Sequence, residues 1–204
     1  QQGVSTQFKG GLRVTTREVL SVTSQTLIGS VNPSLVSKIN KSDIQSVGIN
    51  GIDAKLFDVI PLDDKYGYVG EPTDVDTSVL ASLTEQFVPV IASIGQHRST
   101  GQLYNINADT LAYKIAQFLQ APIYLLSDIP GVIIDEKVQA TLNAERINLY
   151  IDQASIYGGM IPKVQDAVQA IESGCEKVVI AAGNESHIIK KLQSGQNVGT
   201  TIQR

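Results

Sequence analysis

From Phe87 onward the chain alternates apolar runs of strand length with amphipathic runs of helix length. That alternation restricts the fold more than any other feature of the sequence. Residues 87–94 are almost continuously apolar, the pattern of a strand covered on both faces. A helical repeat over 110–119 leads into a strand over 123–126. After a short hairpin around 132–138, helices over 143–153 and 161–172 lead into a strand over 177–182. Gly174 falls where a helix closes on a left-handed residue. A helix over 185–192 and a strand over 200–202 complete the series. Strands separated by helices return in parallel, so the pattern predicts an α/β fold with helices on both faces of a parallel-type sheet.

The first half is less regular. Residues 1–40 read as mostly helical, with Val19, Leu20, Val22 and Leu27 spaced for one buried face and Thr15 or Thr16 as the cap. Pro33 begins a second helical pattern with Leu35, Val36 and Ile39. Between 44 and 70, short β-rich runs at 47–49, 55–60 and 66–70 are separated by Gly and Asp, as in hairpins on the edge of a larger sheet. Residues 78–86 read as a short helix.

A chain of 204 residues that is 42% hydrophobic and 18% charged can build a real core. Its net charge of −4 argues against a nucleic-acid partner, which demands a basic surface. No apolar run reaches the roughly 18 residues of a membrane span. Residues 1–6 are too polar for a signal peptide. The single cysteine, Cys175, fits a reducing cytoplasm and reads as a small buried hydrophobe rather than a nucleophile. His97 and His187 lie far apart with no cysteine nearby, which argues against zinc.

Two turns that open helices concentrate the chemistry. In Tyr104-Asn105-Ile106-Asn107-Ala108-Asp109, alternating asparagines point two amides to one side, ahead of a helix whose N-terminus favours an anion. Asp109 is either that helix's cap or a functional carboxylate. In Tyr157-Gly158-Gly159-Met160-Ile161-Pro162-Lys163, the glycines permit close backbone approach and Pro162 suits a first helical turn. Lys163 then opposes the macrodipole, which marks it as a phosphate contact or a solvated surface lysine. Asp128, in Ser127-Asp128-Ile129-Pro130-Gly131, sits at the carboxyl end of a strand, where open α/β sheets bind ligands. A plain Pro-Gly turn explains it equally. Residues 181–184 offer a similar edge. Arg13, after a double glycine, is either a fork for a carboxylate or a surface charge. Neither a Walker-type GxxxxGK[ST] nor a GxGxxG element is present.

The stretches GLRVT (11–15), YNINADTLA (104–112), LLSDIPGV (125–132), YGGMIPK (157–163) and VGTTI (198–202) together resemble the acetylglutamate kinase family of the amino acid kinase superfamily. They follow the family's order over nearly the whole chain, and NINAD with GGMIPK is a specific combination. The resemblance implies one continuous domain: a three-layer αβα sandwich on a mostly parallel open sheet, with a β-hairpin lid over the amino-acid substrate. Residues 1–108 would bind that substrate and 109–204 the nucleotide. It implies ATP-dependent phosphorylation of the side-chain carboxylate of N-acetyl-L-glutamate, with Mg²⁺ held mainly by the nucleotide phosphates, in a cytoplasmic homodimer. Arg13 would hold the substrate's α-carboxylate and Asn105 would help fix the substrate. Lys163 would stabilise the transferring phosphoryl group and Asp109 would position catalytic lysines. Asp128, Ile129, Gly131, Ile156, Tyr157 and Gly158 would line the nucleotide side. A sister kinase acting on glutamate or aspartate, or a non-catalytic regulatory homologue, would carry the same framework.

The sequence departs from the family at its start. The family's first strand carries a lysine before a Gly-Gly turn, and its second ends in His-Gly-Gly-Gly; neither is present. Lys9-Gly10-Gly11 leads directly into Leu12-Arg13 and does not replace the first. The resemblance therefore implies that roughly fifty family residues are not represented. This span is expected to be inactive and poorly stable alone.

Overall fold

The computed structural model describes residues 7–9 and 12–204, Lys9 by its backbone alone. The polar start at 1–6 and the Gly10–Gly11 pair lie outside the described residues. The chain divides into two compact units, residues 1–111 and 112–204.

In the first unit, β1 (Gln7–Lys9) and β2 (Leu12–Val14) pair antiparallel, with Phe8 opposite Arg13. The helix expected behind a Thr15 or Thr16 cap is α1 (Arg17–Thr26), while the described residues ahead of it form this ribbon rather than helix. β-Branched Val14 and Thr15 extend the β2 strand instead, and Thr15 bridges Gly67. Thr16 is the cap, its hydroxyl accepting from the Val19 amide at 3.3 Å. α1 continues through a widened π-turn (Leu27–Val31) into α2 (Asn32–Ile39). The restart expected at Pro33 is this widening. A pyrrolidine ring would crowd the carbonyl four residues back and has no N–H to give, and here Asn32 N–H reaches back five residues to Leu27 O.

Next come β3 (Ser46–Asn50), β4 (Phe57–Pro61), β5 (Gly70–Val75), α3 (Thr77–Thr84), β6 (Val88–Ala92), β7 (Ile94–Gln96), β8 (Leu103–Asn105) and the start of α4 (Ala108–Leu119), whose residues from 112 onward belong to the second unit. β4 and β5 form the expected hairpin. β3 does not belong to a hairpin: it pairs in parallel with β6 across forty residues of chain. The apolar run 87–94 is not one buried strand either. Its backbone changes partners at Ser93, because β6 follows β3 while β7 pairs with β4 and β8. Phe87 and Val88, ahead of that change, remain 37% and 46% exposed. Leu56, Phe57, Val59 and Ile94 are fully buried. Phe57 and Val59 close around Gly95, where a Cβ would come within 2.3 Å of Val59 Cγ2.

The second unit contains β9 (Ile123–Ser127), β10 (Ile133–Ile134), β11 (Lys137–Val138), β12 (Thr141–Leu142), α5 (Ala144–Asp152), α6 (Met160–Glu172), β13 (Val178–Ala182), α7 (Ile188–Gln193) and β14 (Thr200–Ile202). Its sheet runs β12-β14-β13-β9. β9 and β13 are parallel, as are β12 and β14, while β13 and β14 are antiparallel. The molecule is thus α/β with mixed, partly parallel sheets. Val178 and Ile180 face one side with Ile123, Leu125, Val164, Ala167 and Ile171, while Val179 and Ala181 face α7. Covered on both faces, β13 accounts for its unbroken apolar sequence. The last helix starts at 188, three residues later than its periodicity predicts, because His187 sits at φ +59 and ends the preceding turn.

Helix α4 begins at Ala108. Asn107 Oδ1 accepts from the amides of Asp109 and Thr110, at 2.9 and 3.1 Å, so Asn107 is the cap and Asp109 belongs to the first turn. The capping role open to Asp109 in the sequence is filled by its neighbour. Replacing Asn107 with Ala is expected to destabilise the protein by about 1 kcal/mol. Asp109→Asn should cost clearly less, and urea unfolding of the two variants measures the difference.

Candidate functional site

The candidate residues fall into two groups, one in each unit. In the first, Arg13 and Asn105 meet around Thr15. Thr15 is fully buried. Its hydroxyl donates to Arg13 O at 3.1 Å and accepts from Asn105 Nδ2 at 3.3 Å. Its main chain is clasped by the tip of the β4–β5 hairpin: Thr15 N donates to Tyr66 O at 2.9 Å, and Tyr68 N donates to Thr15 O at 2.8 Å. Gly67, at φ +67, makes the clasp possible, since a Cβ there would lie 2.5 Å from Thr15 O. Asn105 N completes the junction by donating to Tyr68 O at 2.9 Å.

Side chains reinforce this arrangement. The Arg17 guanidinium reaches the Tyr68 hydroxyl at 3.2 Å, and the Tyr68 ring lies 6.3 Å from that of Tyr104. The Arg13 guanidinium stacks 4.7 Å from the Phe8 ring. The half-exposed Arg13 thus holds its planar fork against an aromatic surface, which orients it without neutralising it. Asp109, half-buried in the first turn of α4, closes this group in the sequence.

In the second unit, chain direction gathers the rest. α6 ends at Glu172 and β13 begins at Val178. Between them Ser173 N donates to Gln169 O and Cys175 N to Ala170 O, so the chain turns back tightly. α6 therefore runs against β13, and its N-terminus stands at the strand's carboxyl end. Because β9 is parallel to β13, residues 127–131 and 183–187 leave the sheet at that same end. Gly183 N donates to Ser127 O at 2.7 Å, tying the two loops together. A helix N-terminus and two strand ends on one edge form the usual crevice for an anionic ligand.

Individual residues in this group differ in what they can do. Lys163 lies in the first turn of α6, half-buried, and the Tyr113 hydroxyl donates to its carbonyl oxygen at 3.5 Å. Gly158 has φ +57 with open space where a Cβ would stand, and Tyr157 is 76% exposed. Asp128 is exposed and Ile129 half-buried. Ile156 differs from these: its side chain is packed in the hydrophobic core, leaving only its main chain for a ligand. Gly131, at φ +144, has a structural demand of its own, since a Cβ would approach Thr200 Oγ1 to 2.7 Å. Thr200 is fully buried and accepts from Val132 N at 2.8 Å. Cys175 is buried, its thiol donates to Ala121 O at 3.2 Å, and burial pushes the thiol pKa up, which suits packing rather than nucleophilic attack. His97 and His187 lie in different units, and among the described residues no group of His, Cys, Asp and Glu is arranged to hold a metal. No described helix is long and apolar enough to cross a membrane.

Thr15 and Thr200 make contacts that their motifs do not reveal, and Tyr68 lies in the 66–70 run that the sequence offers as part of the lid. Thr15 and Thr200 had a signal, as hydroxyls inside the GLRVT and VGTTI stretches. The two site glycines should separate under substitution. Gly158→Ala is expected to cost about 1 kcal/mol, the penalty of a left-handed non-glycine. Gly131→Ala should cost about 3 kcal/mol or more, from a glycine-only conformation plus a collision. Chemical denaturation of both variants checks the order.

Comparison with known proteins gives a consistent picture. A model of the amino acid kinase family matches residues 1–182. The chain is 68% identical over 202 residues to a Staphylococcus saprophyticus protein named acetylglutamate kinase, covering 99% of this chain and 80% of that protein. It is 49% identical over 201 residues to a Staphylococcus aureus protein of the same name, covering 98% and 78%. Among solved structures, smu.665 from Streptococcus mutans UA159 superposes with a TM-score of 0.83 at 28% identity, over 98% of this chain and 78% of that one.

Proposed function

The chain belongs to the amino acid kinase family, and from that premise we propose that it works as an acetylglutamate kinase. It transfers the γ-phosphoryl group of ATP to the side-chain carboxylate of N-acetyl-L-glutamate, forming an acyl phosphate in arginine biosynthesis. The observation that carries this reading is the 68% identity to a named acetylglutamate kinase over 99% of the chain. The NINAD and GGMIPK segments lie within that match.

The chemistry suits the residues. A carboxylate acceptor is already ionised at neutral pH and needs no base. One of its oxygens bonds to the γ-phosphorus as the bond from phosphorus to the β,γ-bridging oxygen breaks, and ADP leaves with that electron pair. The protein's work is therefore alignment and charge neutralisation. In the first unit Arg13 holds the substrate's α-carboxylate and Asn105 fixes the substrate beside the hairpin tip, so residues 1–108 act as the amino-acid lobe. In the second, residues 109–204 act as the nucleotide lobe. Asp128, Ile129, Gly131, Tyr157 and Gly158 line the nucleotide, with Ile156 contributing through its main chain. Lys163 neutralises the transferring phosphoryl group and Asp109 organises the lysine. Mg²⁺, held mainly by the nucleotide phosphates, would supply further positive charge. The working form is a cytoplasmic homodimer.

Calorimetry with N-acetyl-L-glutamate, L-glutamate and L-aspartate tests the substrate. The acetylated amino acid is expected to bind at least tenfold more tightly than either other. Equal binding by glutamate or aspartate points to a sister kinase instead. Lys163→Ala should weaken binding of Mg²⁺ with a non-hydrolysable ATP analogue about tenfold, for one lost charged contact worth roughly 1.4 kcal/mol, while N-acetyl-L-glutamate affinity stays the same.

The 204 residues contain no His-Gly-Gly-Gly and no lysine before a Gly-Gly turn in a first strand of the family kind. Loss of such donors at a transferring phosphoryl group typically costs 10²–10³-fold or more in rate, so this span by itself is expected to show little or no ADP formation. Turnover within tenfold of the Staphylococcus saprophyticus relative, assayed side by side, would contradict this.

A further inference from the structure

We infer that Thr15 is a positioning residue for the amino-acid substrate, because its hydroxyl sits in a hydrogen-bond relay that dictates which way Asn105 presents its amide. The inference rests on the reading of Asn105 as a substrate contact. A threonine hydroxyl has one proton to donate and lone pairs to accept with. Here the proton must go to Arg13 O, 3.1 Å away, because a carbonyl oxygen accepts and never donates. Toward Asn105 the hydroxyl is left as an acceptor, so the side chain 3.3 Å away must turn Nδ2, not Oδ1, to Thr15. A primary amide in isolation has two nearly equivalent orientations related by a half-turn. The relay from Asn105 Nδ2 through Thr15 Oγ1 to Arg13 O removes that choice, leaving Oδ1 and the second Nδ2 hydrogen with a fixed direction.

The geometry makes Thr15 more than a local anchor. It is fully buried, although polar, and four hydrogen bonds use its amide, its carbonyl and its hydroxyl. Its main chain is held by Tyr66 O and Tyr68 N, and Asn105 N is held by Tyr68 O, so both ends of the relay hang on the same hairpin tip. The carbonyl that ends the relay belongs to Arg13. The two residues read as substrate contacts are therefore joined through one hydroxyl, which is itself fully buried.

Two substitutions separate positioning from packing. Thr15→Val keeps the shape and removes the relay; Thr15→Ser keeps the relay and removes a methyl. Positioning predicts that Thr15→Val weakens N-acetyl-L-glutamate binding about tenfold by calorimetry, while Thr15→Ser stays within twofold of the parent despite a lower thermal midpoint. Binding of Mg²⁺ with a non-hydrolysable ATP analogue should not change in either. A purely structural role predicts instead that affinity follows the thermal midpoint in both variants, and that result would overturn the inference. Equal N-acetyl-L-glutamate affinity for Thr15→Val and the parent would also overturn it. If the parent chain binds no N-acetyl-L-glutamate, the functional reading fails rather than the relay. Should Thr15→Val not fold, Thr15→Cys replaces it: its thiol is a poor acceptor, so a severalfold loss supports the relay and parent-like affinity rejects it.

Discussion

Two main-chain hydrogen bonds between Thr15 and the hairpin tip hold the first unit's candidate site together. Without Thr15 N to Tyr66 O and Tyr68 N to Thr15 O, the short β1–β2 ribbon would have no tie to the larger sheet at that point. An isolated two-stranded ribbon is marginal in water, so the clasp gives the Arg13 strand a fixed place. Gly67 is required because any side chain would collide with the carbonyl it closes on. Both residues read as amino-acid contacts hang on it, Arg13 two residues before the clasp and Asn105 bonded to it, while Arg17 and Tyr104 flank the Tyr68 ring.

In the second unit, chain direction does comparable work. A parallel β9–β13 pair with α6 folded back against β13 leaves few options for where the helix begins. The Gly158–Gly159 turn, Lys163 and the loops after β9 and β13 then share one edge. The helix N-terminus and Lys163 both contribute positive potential there.

Much of this was legible in the sequence where local pattern determines structure. The strand over 178–182, helices α5 and α6 and the Gly-rich turn all follow from periodicity and glycine placement. The misses have identifiable physical causes. The parallel pairing of β3 with β6 joins segments forty residues apart, so no local pattern records it. The run 87–94 is apolar throughout, yet its backbone changes partners at Ser93, which hydrophobicity does not register. Asn107 and Asp109 are both good caps by composition, and only the position of the first helical residue decides between them. The role of Thr15 was hidden because a threonine just ahead of a helical pattern reads as its cap, a position that Thr16 fills instead.

The proposed function divides the labour between the units: the clasp around Thr15 and Asn105 would receive the acidic amino acid, and the edge carrying Lys163 would receive the nucleotide. Backbone amide NMR of the ¹⁵N-labelled chain, titrated with each ligand separately, tests this most directly. N-acetyl-L-glutamate should shift Thr15, Tyr66, Gly67, Tyr68 and Asn105 and leave 128–131 and 157–163 in place. Mg²⁺ with a non-hydrolysable ATP analogue should do the reverse. If N-acetyl-L-glutamate shifts 128–131 and 157–163 instead of the clasp, or if both ligands shift one common set of amides, the account is contradicted.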